Sequence, residues 1–191
     1  ETAARAAKPL LGPQTLVLSI QNGLGGPDVT ASVLGRERVA VGVVGGFGAS
    51  MRGPGHAHHN GMELVRLGEL SGPVSPRLEA VAEVWRSGGF KVKCFDDIDQ
   101  LVWEKLICNV CFSGTCAVTA RTVGEVMADA DAFKVASGCA AEAYAVARKR
   151  VALLPVVEPA GDVVRIRRHA RSIGPKGRAA AVVGTRAGAQ R

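Results

Sequence analysis

Aromatic side chains are scarce in this chain: two Trp, one Tyr and five Phe among 191 residues. A core built without them must come from Val, Leu, Ile and Ala, which suits an α/β or helical domain better than a sandwich packed on aromatic rings. No apolar run approaches the roughly 18 residues that cross a bilayer, so no membrane partner is expected. A secretory leader is also missing: the chain opens at Glu1 with a charged, alanine-rich segment. Starting without Met and inside a helical pattern, it reads as a fragment of something longer. Nor is there a disulfide framework. Five cysteines (Cys94, Cys108, Cys111, Cys116, Cys139) are an odd count without compact spacing, which predicts reduced thiols and a cytoplasmic setting. Cys108 and Cys111 form a C-x-x-C, but they lie in an apolar run with no zinc-spaced partner, so small buried thiols packing a helix are the expectation.

Acidic residues are missing from one end only. Residues 148–191 hold eleven Lys/Arg against two acids, Glu158 and Asp162, a net +9, while the other 147 residues carry thirteen against fifteen, a net −2. A basic end can bind nucleic acid or an acidic surface. This one has no aromatic residue to stack a base and no binding motif, which disfavours nucleic acid and points to a solvated, poorly ordered tail.

What is present has the order of an α/β protein. Residues 1–11 read as the end of an amphipathic helix stopped by Pro9 and Gly12. Thr15–Ile20 is a continuous β-branched and apolar run, the pattern of a buried parallel strand. A tight glycine turn, Asn22–Pro27, leads into a short helix with Asp28 as N-cap and Gly35 as its stop. Arg38–Val44 predicts a further strand, and His56–His59 with Met62–Leu67 a hairpin around Asn60-Gly61. Ser75 and Pro76 open a helix that ends at Gly88-Gly89, and Phe90–Phe95 alternates as a half-exposed strand. A long helix from Asp97 to about Val118 and another from about Val123 to Lys149 complete the pattern. Strands first and long helices last predict α/β plus all-α: a partial Rossmann-type nucleotide-binding domain over 1–96, a helical substrate-side domain over 97–155, and a basic tail over 156–191.

Few patterns carry chemistry. Gly23-Leu-Gly25-Gly-Pro-Asp28 follows a strand as a dinucleotide fingerprint would, but Asp28 replaces the third glycine and would repel a pyrophosphate at the helix start. Gly42–Gly48 lacks the spacing altogether, so no phosphate-cradling loop is expected. His56 and His58 share a strand face without a carboxylate or cysteine beside them; solvated histidines are favoured over a metal pair, and no metal site is expected. Trp85 and Trp103 read as core-facing helix residues. Lys105 and Asn109, four apart in Trp103-Glu-Lys-Leu-Ile-Cys-Asn109, leave one helix face together. A lysine there is ordinarily solvated, yet its neighbours are apolar and Asn109 is a poor helix-interior residue. Asn22 supplies the same carboxamide chemistry at a strand end. Spacing alone leaves both a solvated face and an active site open.

Those segments resemble the ketopantoate reductase family. The resemblance rests on Lys8–Gly25 with its Asn22-Gly23 turn, Gly35–Val39, the glycine-rich 39–48, Gly53-Pro-Gly55, Asp96-Asp-Ile98, Leu101–Asn109, and Thr119-x-x-Thr122-x-Gly-Glu125, and covers about residues 1–150. It implies reduction of a branched 2-oxo acid, 2-dehydropantoate to pantoate, with NADPH as hydride donor, and is compatible with a homodimer. Lys105 would be the general acid. Asn22 would position that lysine and, with Gly23, contact the cofactor, while Asn109 and Ser113 would bind substrate. Ser113 stands where the family usually has a second asparagine, and Gly114 where a proline is common. The family's dinucleotide fingerprint would precede residue 1, so the fragment is expected to be impaired, and the resemblance ends at about Pro155. Two rivals remain: a non-catalytic remnant acting through its basic tail, and a dehydrogenase for another 2-oxo or 3-hydroxy acid.

Overall fold

The structure, a computed structural model, describes residues 1–46, 48–61 and 64–151. By its internal contacts the chain divides into two compact units. Among the described residues, the first holds 1–45 and 64–103, and the second holds 46, 48–61 and 104–151. The first is a Rossmann-like sheet with its helices, and the helical part follows it in the chain.

In the first unit, α1 (Thr2–Ala7) runs into a 3-10 turn at Lys8–Leu10 that accommodates Pro9 near its start. β1 (Val17–Ser19) is shorter than its apolar run. α2 (Gly26–Leu34) leads to β2 (Val39–Val44), which pairs parallel to β1 with Leu18 opposite Ala40. β5 (Val65–Glu69) returns antiparallel to β2, Val41 facing Gly68, and α3 (Pro76–Ser87) carries the chain to β6 (Val92–Cys94), parallel to β5. The sheet order is β1-β2-β5-β6. Two parallel β-α-β steps joined by one antiparallel contact give near-complete burial to the middle strand: β2 is buried at every position from Val39 to Val43. That is why it reads as an unbroken apolar run. α3 begins as its sequence dictates, with the Ser75 hydroxyl accepting from the Leu78 amide and Pro76 in the first turn.

On one sheet face, Val41 and Val43 pack with Ile98, Leu70, Leu101 and Val102. Gly68 permits this: a Cβ built there would lie 2.4 Å from Ile98 Cβ and 2.9 Å from Cγ1, atoms held by the start of the helix after β6. Gly68→Ala is therefore expected to destabilise the first unit by about 1–3 kcal/mol through overpacking. The midpoint of urea unfolding measures it, and an unchanged midpoint would mean the helix start shifts freely.

The second unit contains β3 (Gly48–Gly53), β4 (His56–Gly61), α4 from Glu104 onward, α5 (Val123–Ala128) and α6 (Ala130–Ala147). α4 as a whole spans Ile98–Thr119, and the Asp97 carboxylate accepts from the Gln100 amide at its start. α5 opens with a complete capping box, Thr122 and Glu125 satisfying each other's backbone amides.

Several expectations fail for identifiable reasons. The hairpin turns at Pro54-Gly55, not Asn60-Gly61: proline presets the first turn residue and Gly55 takes φ +72°. Asn60-Gly61 closes β4 instead, because Val65 and Leu67 are fully buried between β2 and β6 in the other sheet and are not free to pair locally. Met62, part of that expectation, lies outside the described residues. Asp28 is not the N-cap of α2; Gly25, at φ +80°, holds that position and Asp28 falls in the first turn. The helix expected over 123–149 is two helices, broken at Asp129, whose carboxylate accepts from the Asp131 and Ala132 amides and so caps α6. Finally, α4 is long and apolar enough to cross a membrane, with 22 residues at a mean hydropathy of 1.3. A search for unbroken runs passes over it because Asp99, Glu104 and Lys105 interrupt it. Ile98, Ile107, Cys111, Phe112 and Cys116 along it are buried, while Val110 and Val118 are exposed, so α4 packs by one side only.

Candidate active site

The expected site residues fall into two groups, one in each unit. Asn22 and Gly23 follow β1 in the first unit. Asn22 is exposed just beyond the carboxyl end of the strand, where open α/β sheets present polar groups to ligands. The Gln21 side chain turns back over the start of α2, with Oε1 2.7 Å from where a Cβ on Gly26 would sit. Sequence reasoning did not single out Gln21; its signal was a glycine at the first helical position. Among the described residues, no atom beyond the chain neighbours lies within 4 Å of a Cβ built on Gly23 or Gly25, so this turn leaves room for close approach by a ligand.

The helix start behind it is another matter. Asp28 in the first turn of α2 is paired with Arg36, Nη1 to Oδ1 at 3.1 Å, and Arg36 also donates to Ser71 Oγ at 2.7 Å and the Leu70 carbonyl at 3.2 Å. A carboxylate there complements the helix dipole and opposes a phosphate. This brace, absent from the sequence reading, ties α2 to the loop after β5.

In the second unit, Lys105, Asn109 and Ser113 rise along α4 at successive four-residue steps. Each step turns the direction by about 40°, and burial tracks that drift. Lys105 and Asn109 are half-buried and Ser113 is exposed, while Ile107, Cys111, Phe112, Thr115 and Cys116 form the buried side. The lysine and the carboxamide thus stand at the border between the interior and solvent. An ammonium at such a border keeps less bulk water than on an open surface, and a neighbouring amide can share one oxygen-rich ligand with it.

The cysteines are free, as their spacing predicts. Burial pushes the Cys111 thiol up to about 12, with nearby Cys108, Cys139 and Cys116 adding to the effect; burial and the Glu104 charge raise Cys108. Burial and a hydrogen bond with Glu79 take Cys94 up to about 11. Thiols held protonated in this way are poor nucleophiles, which favours packing of the helix over redox chemistry for the C-x-x-C. Among the described residues no group of three or more metal-ligating side chains forms; His56 is exposed and His58 half-buried in β4. Of the basic end over 148–191, only residues 148–151 lie within the described part, and the tail expected over 156–191 lies outside it.

Two family descriptions match the chain: "Ketopantoate reductase PanE/ApbA" over residues 1–72 and "Ketopantoate reductase PanE/ApbA C terminal" over 97–176. The second runs past Pro155, where the resemblance ends in the sequence reading, so the likeness reaches further into the basic end than its residues suggest. A 2-dehydropantoate 2-reductase of Archaeoglobus fulgidus is 32% identical over 127 residues, covering 66% of this chain and 42% of that protein. The crystal structure of 2-dehydropantoate 2-reductase from Geobacter metallireducens superposes with a TM-score of 0.80 at 29% identity, covering 91% of this chain and 58% of that one. A D-mandelate dehydrogenase in complex with NADH shares the fold, with a TM-score of 0.75 at 21% identity over 92% of this chain and 56% of its own. The chain therefore spans less than half the length of the curated Archaeoglobus relative.

Proposed function

The chain belongs to the ketopantoate reductase family, and from that premise we propose that it carries the acid-base half of an NADPH-dependent reductase for a branched 2-oxo acid, converting 2-dehydropantoate to pantoate. The observation that carries this reading is the half-buried Lys105–Asn109 pair on one stripe of α4. Lys105 protonates the alkoxide that forms as the ketone is reduced. Its charge faces the growing negative charge, which lowers the barrier most where the donor is fixed beforehand and partly shielded. Asn109 hydrogen-bonds the substrate, and Ser113 contacts its far end with a shorter reach than a second asparagine would have. Asn22, with the open backbone at Gly23, receives the nicotinamide side of the cofactor.

The cofactor supplies the hydride; the protein supplies binding and charge. The residues present fit its nicotinamide end better than its phosphates, since the Asp28–Arg36 pair stands at the α2 start. The chain by itself is accordingly impaired in cofactor binding. In this reading residues 1–96 form the nucleotide side, 97–155 the substrate side and 156–191 a basic tail, in a cytoplasmic enzyme for a small substrate.

The test joins the upstream half of the Geobacter metallireducens relative to this chain and follows NADPH oxidation at 340 nm with 2-dehydropantoate. Turnover well above that of the 191-residue chain alone is expected. A folded fusion that binds NADPH yet leaves every branched 2-oxo acid unreduced would overturn the assignment.

A further inference from the structure

The hold of Arg36 on its surroundings is wider than one ion pair. Its Nη1 donates to Asp28 Oδ1 at 3.1 Å in the first turn of α2, its Nε to Ser71 Oγ at 2.7 Å, and its Nη2 to the Leu70 carbonyl at 3.2 Å. A planar fork with three separate acceptors keeps them at a fixed spacing, which a flexible ammonium does not. A third segment lies close by. Asp99, in the first turn of α4, feels both partners. Burial, then the charges of Asp97 and Asp28, push its carboxyl up from its ordinary value, and Arg36 works against them. Arg36 therefore stands where α2, the loop after β5 and the start of α4 converge.

This junction governs position more than stability. Arg36 and Asp28 both lie at the surface, and surface ion pairs add little to global stability. The turn just ahead of α2 is a different matter. Gly23 and Gly25 take φ +89° and +80°, and glycines leave a backbone free to choose among many conformations. Such a turn stands wherever its two ends put it. One end is β1, tied to β2 from Val17 to Ser19. The other is the start of α2, tied through Asp28 to Arg36.

We propose that Arg36 is a positioning residue for the cofactor end of the site. By gripping Asp28, Ser71 and the Leu70 carbonyl together, it fixes the start of α2 and with it the place of Asn22 and Gly23. The inference rests on the reading of Asn22 and Gly23 as the residues that receive the nicotinamide. It adds a residue that touches neither cofactor nor substrate and acts by keeping the turn preorganised.

Hydrogen exchange in the 191-residue chain gives the first readout. Arg36→Ala should speed exchange of the amides over 22–29, while those of Val39–Val44 in the central strand keep their protection. Asp28→Ala should do the same, and the double variant should add nothing, because both remove one contact. The fusion with the upstream half of the Geobacter relative supplies the second readout. There Arg36→Ala should raise the NADPH dissociation constant about tenfold, with kcat at saturating NADPH within about twofold of the parent. Arg36→Lys keeps the charge without the fork, so it should recover part of that loss at most. Unchanged exchange over 22–29 overturns the proposal, as does additive loss in the double variant. Full recovery with lysine overturns it too, since Arg36 would then act as a distant charge. A parent fusion that binds NADPH yet reduces no 2-oxo acid would remove the proposed reaction alone, because exchange and NADPH binding still decide the role of Arg36.

Discussion

Lys105→Ala is expected to lower the turnover of the fused reductase by about 10²-fold or more, roughly 2.7 kcal/mol of transition-state stabilisation. The reasoning is chemical. Reduction of a ketone leaves an alkoxide that must take a proton, and an alanine offers neither the proton nor the positive charge that steadies the oxygen while it waits. The side chain is only half-buried on α4, and alanine is the better helix former, so the fold should survive and the loss should report on chemistry. Lys105→Arg sharpens the result. It keeps the charge but holds its proton too tightly to give it up, so it should remain well below the native rate. Steady-state kinetics with saturating NADPH measures both, and near-native turnover in the alanine variant would remove Lys105 from its role.

Arg77→Ala should be the most damaging substitution for stability away from the site. Glu69 ends β5 with its side chain only 5% exposed. Arg77 donates to it from Nη2 at 2.8 Å and Nε at 3.2 Å, Ser75 Oγ donates to the same carboxylate, and Arg77 also reaches the Glu37 carbonyl. Truncating the arginine leaves a buried carboxylate with one hydroxyl partner, at a cost of about 3 kcal/mol. Arg77 is itself half-exposed, which keeps the figure at the lower end. Acid should reveal the same pair. Burial alone would raise the Glu69 pKa, but the hydrogen bonds from Arg77 and Ser75, with the arginine's charge, outweigh it and hold it below its ordinary 4.5. A depressed carboxyl contributes stability above its unfolded value and loses it as pH falls through the folded one. In Arg77→Ala the burial remains and the compensation goes, so protonation relieves the variant while it weakens the native protein. The gap between their unfolding free energies should narrow below about pH 4.5. A gap constant from pH 7 to pH 3 would show that Glu69 and Arg77 are not coupled.

Much of this protein was legible in the residues because it rests on short-range rules. The Ser75-Pro76 helix start, the Gly35 and Gly88 stops and the apolar β2 run are set within four or five neighbours by backbone amides, proline's fixed φ and the burial of β-branched side chains. The Lys105–Asn109–Ser113 stripe belongs to the same class, since a four-residue step on a helix fixes a shared face whatever surrounds it. Asp129 was a local signal too: an aspartate that caps α6 with its own carboxylate stood in plain view, and helical periodicity across it hid the break.

What only the tertiary structure decided depends on partners far away in sequence. Asn60-Gly61 has the stronger local turn chemistry, yet Pro54-Gly55 makes the turn because burying Val65 and Leu67 against β2 and β6 outweighs any two-residue preference. Gly68 looks like a flaw in a strand until Ile98 occupies the space a side chain would fill. Glu69 reads as a surface acid until Arg77 and Ser75 close over it. Local propensity amounts to tenths of a kilocalorie per residue, whereas burying a side chain or leaving a carboxylate without its partner amounts to several, so the sequence by itself sets the elements and the packing between distant segments sets which of them meet.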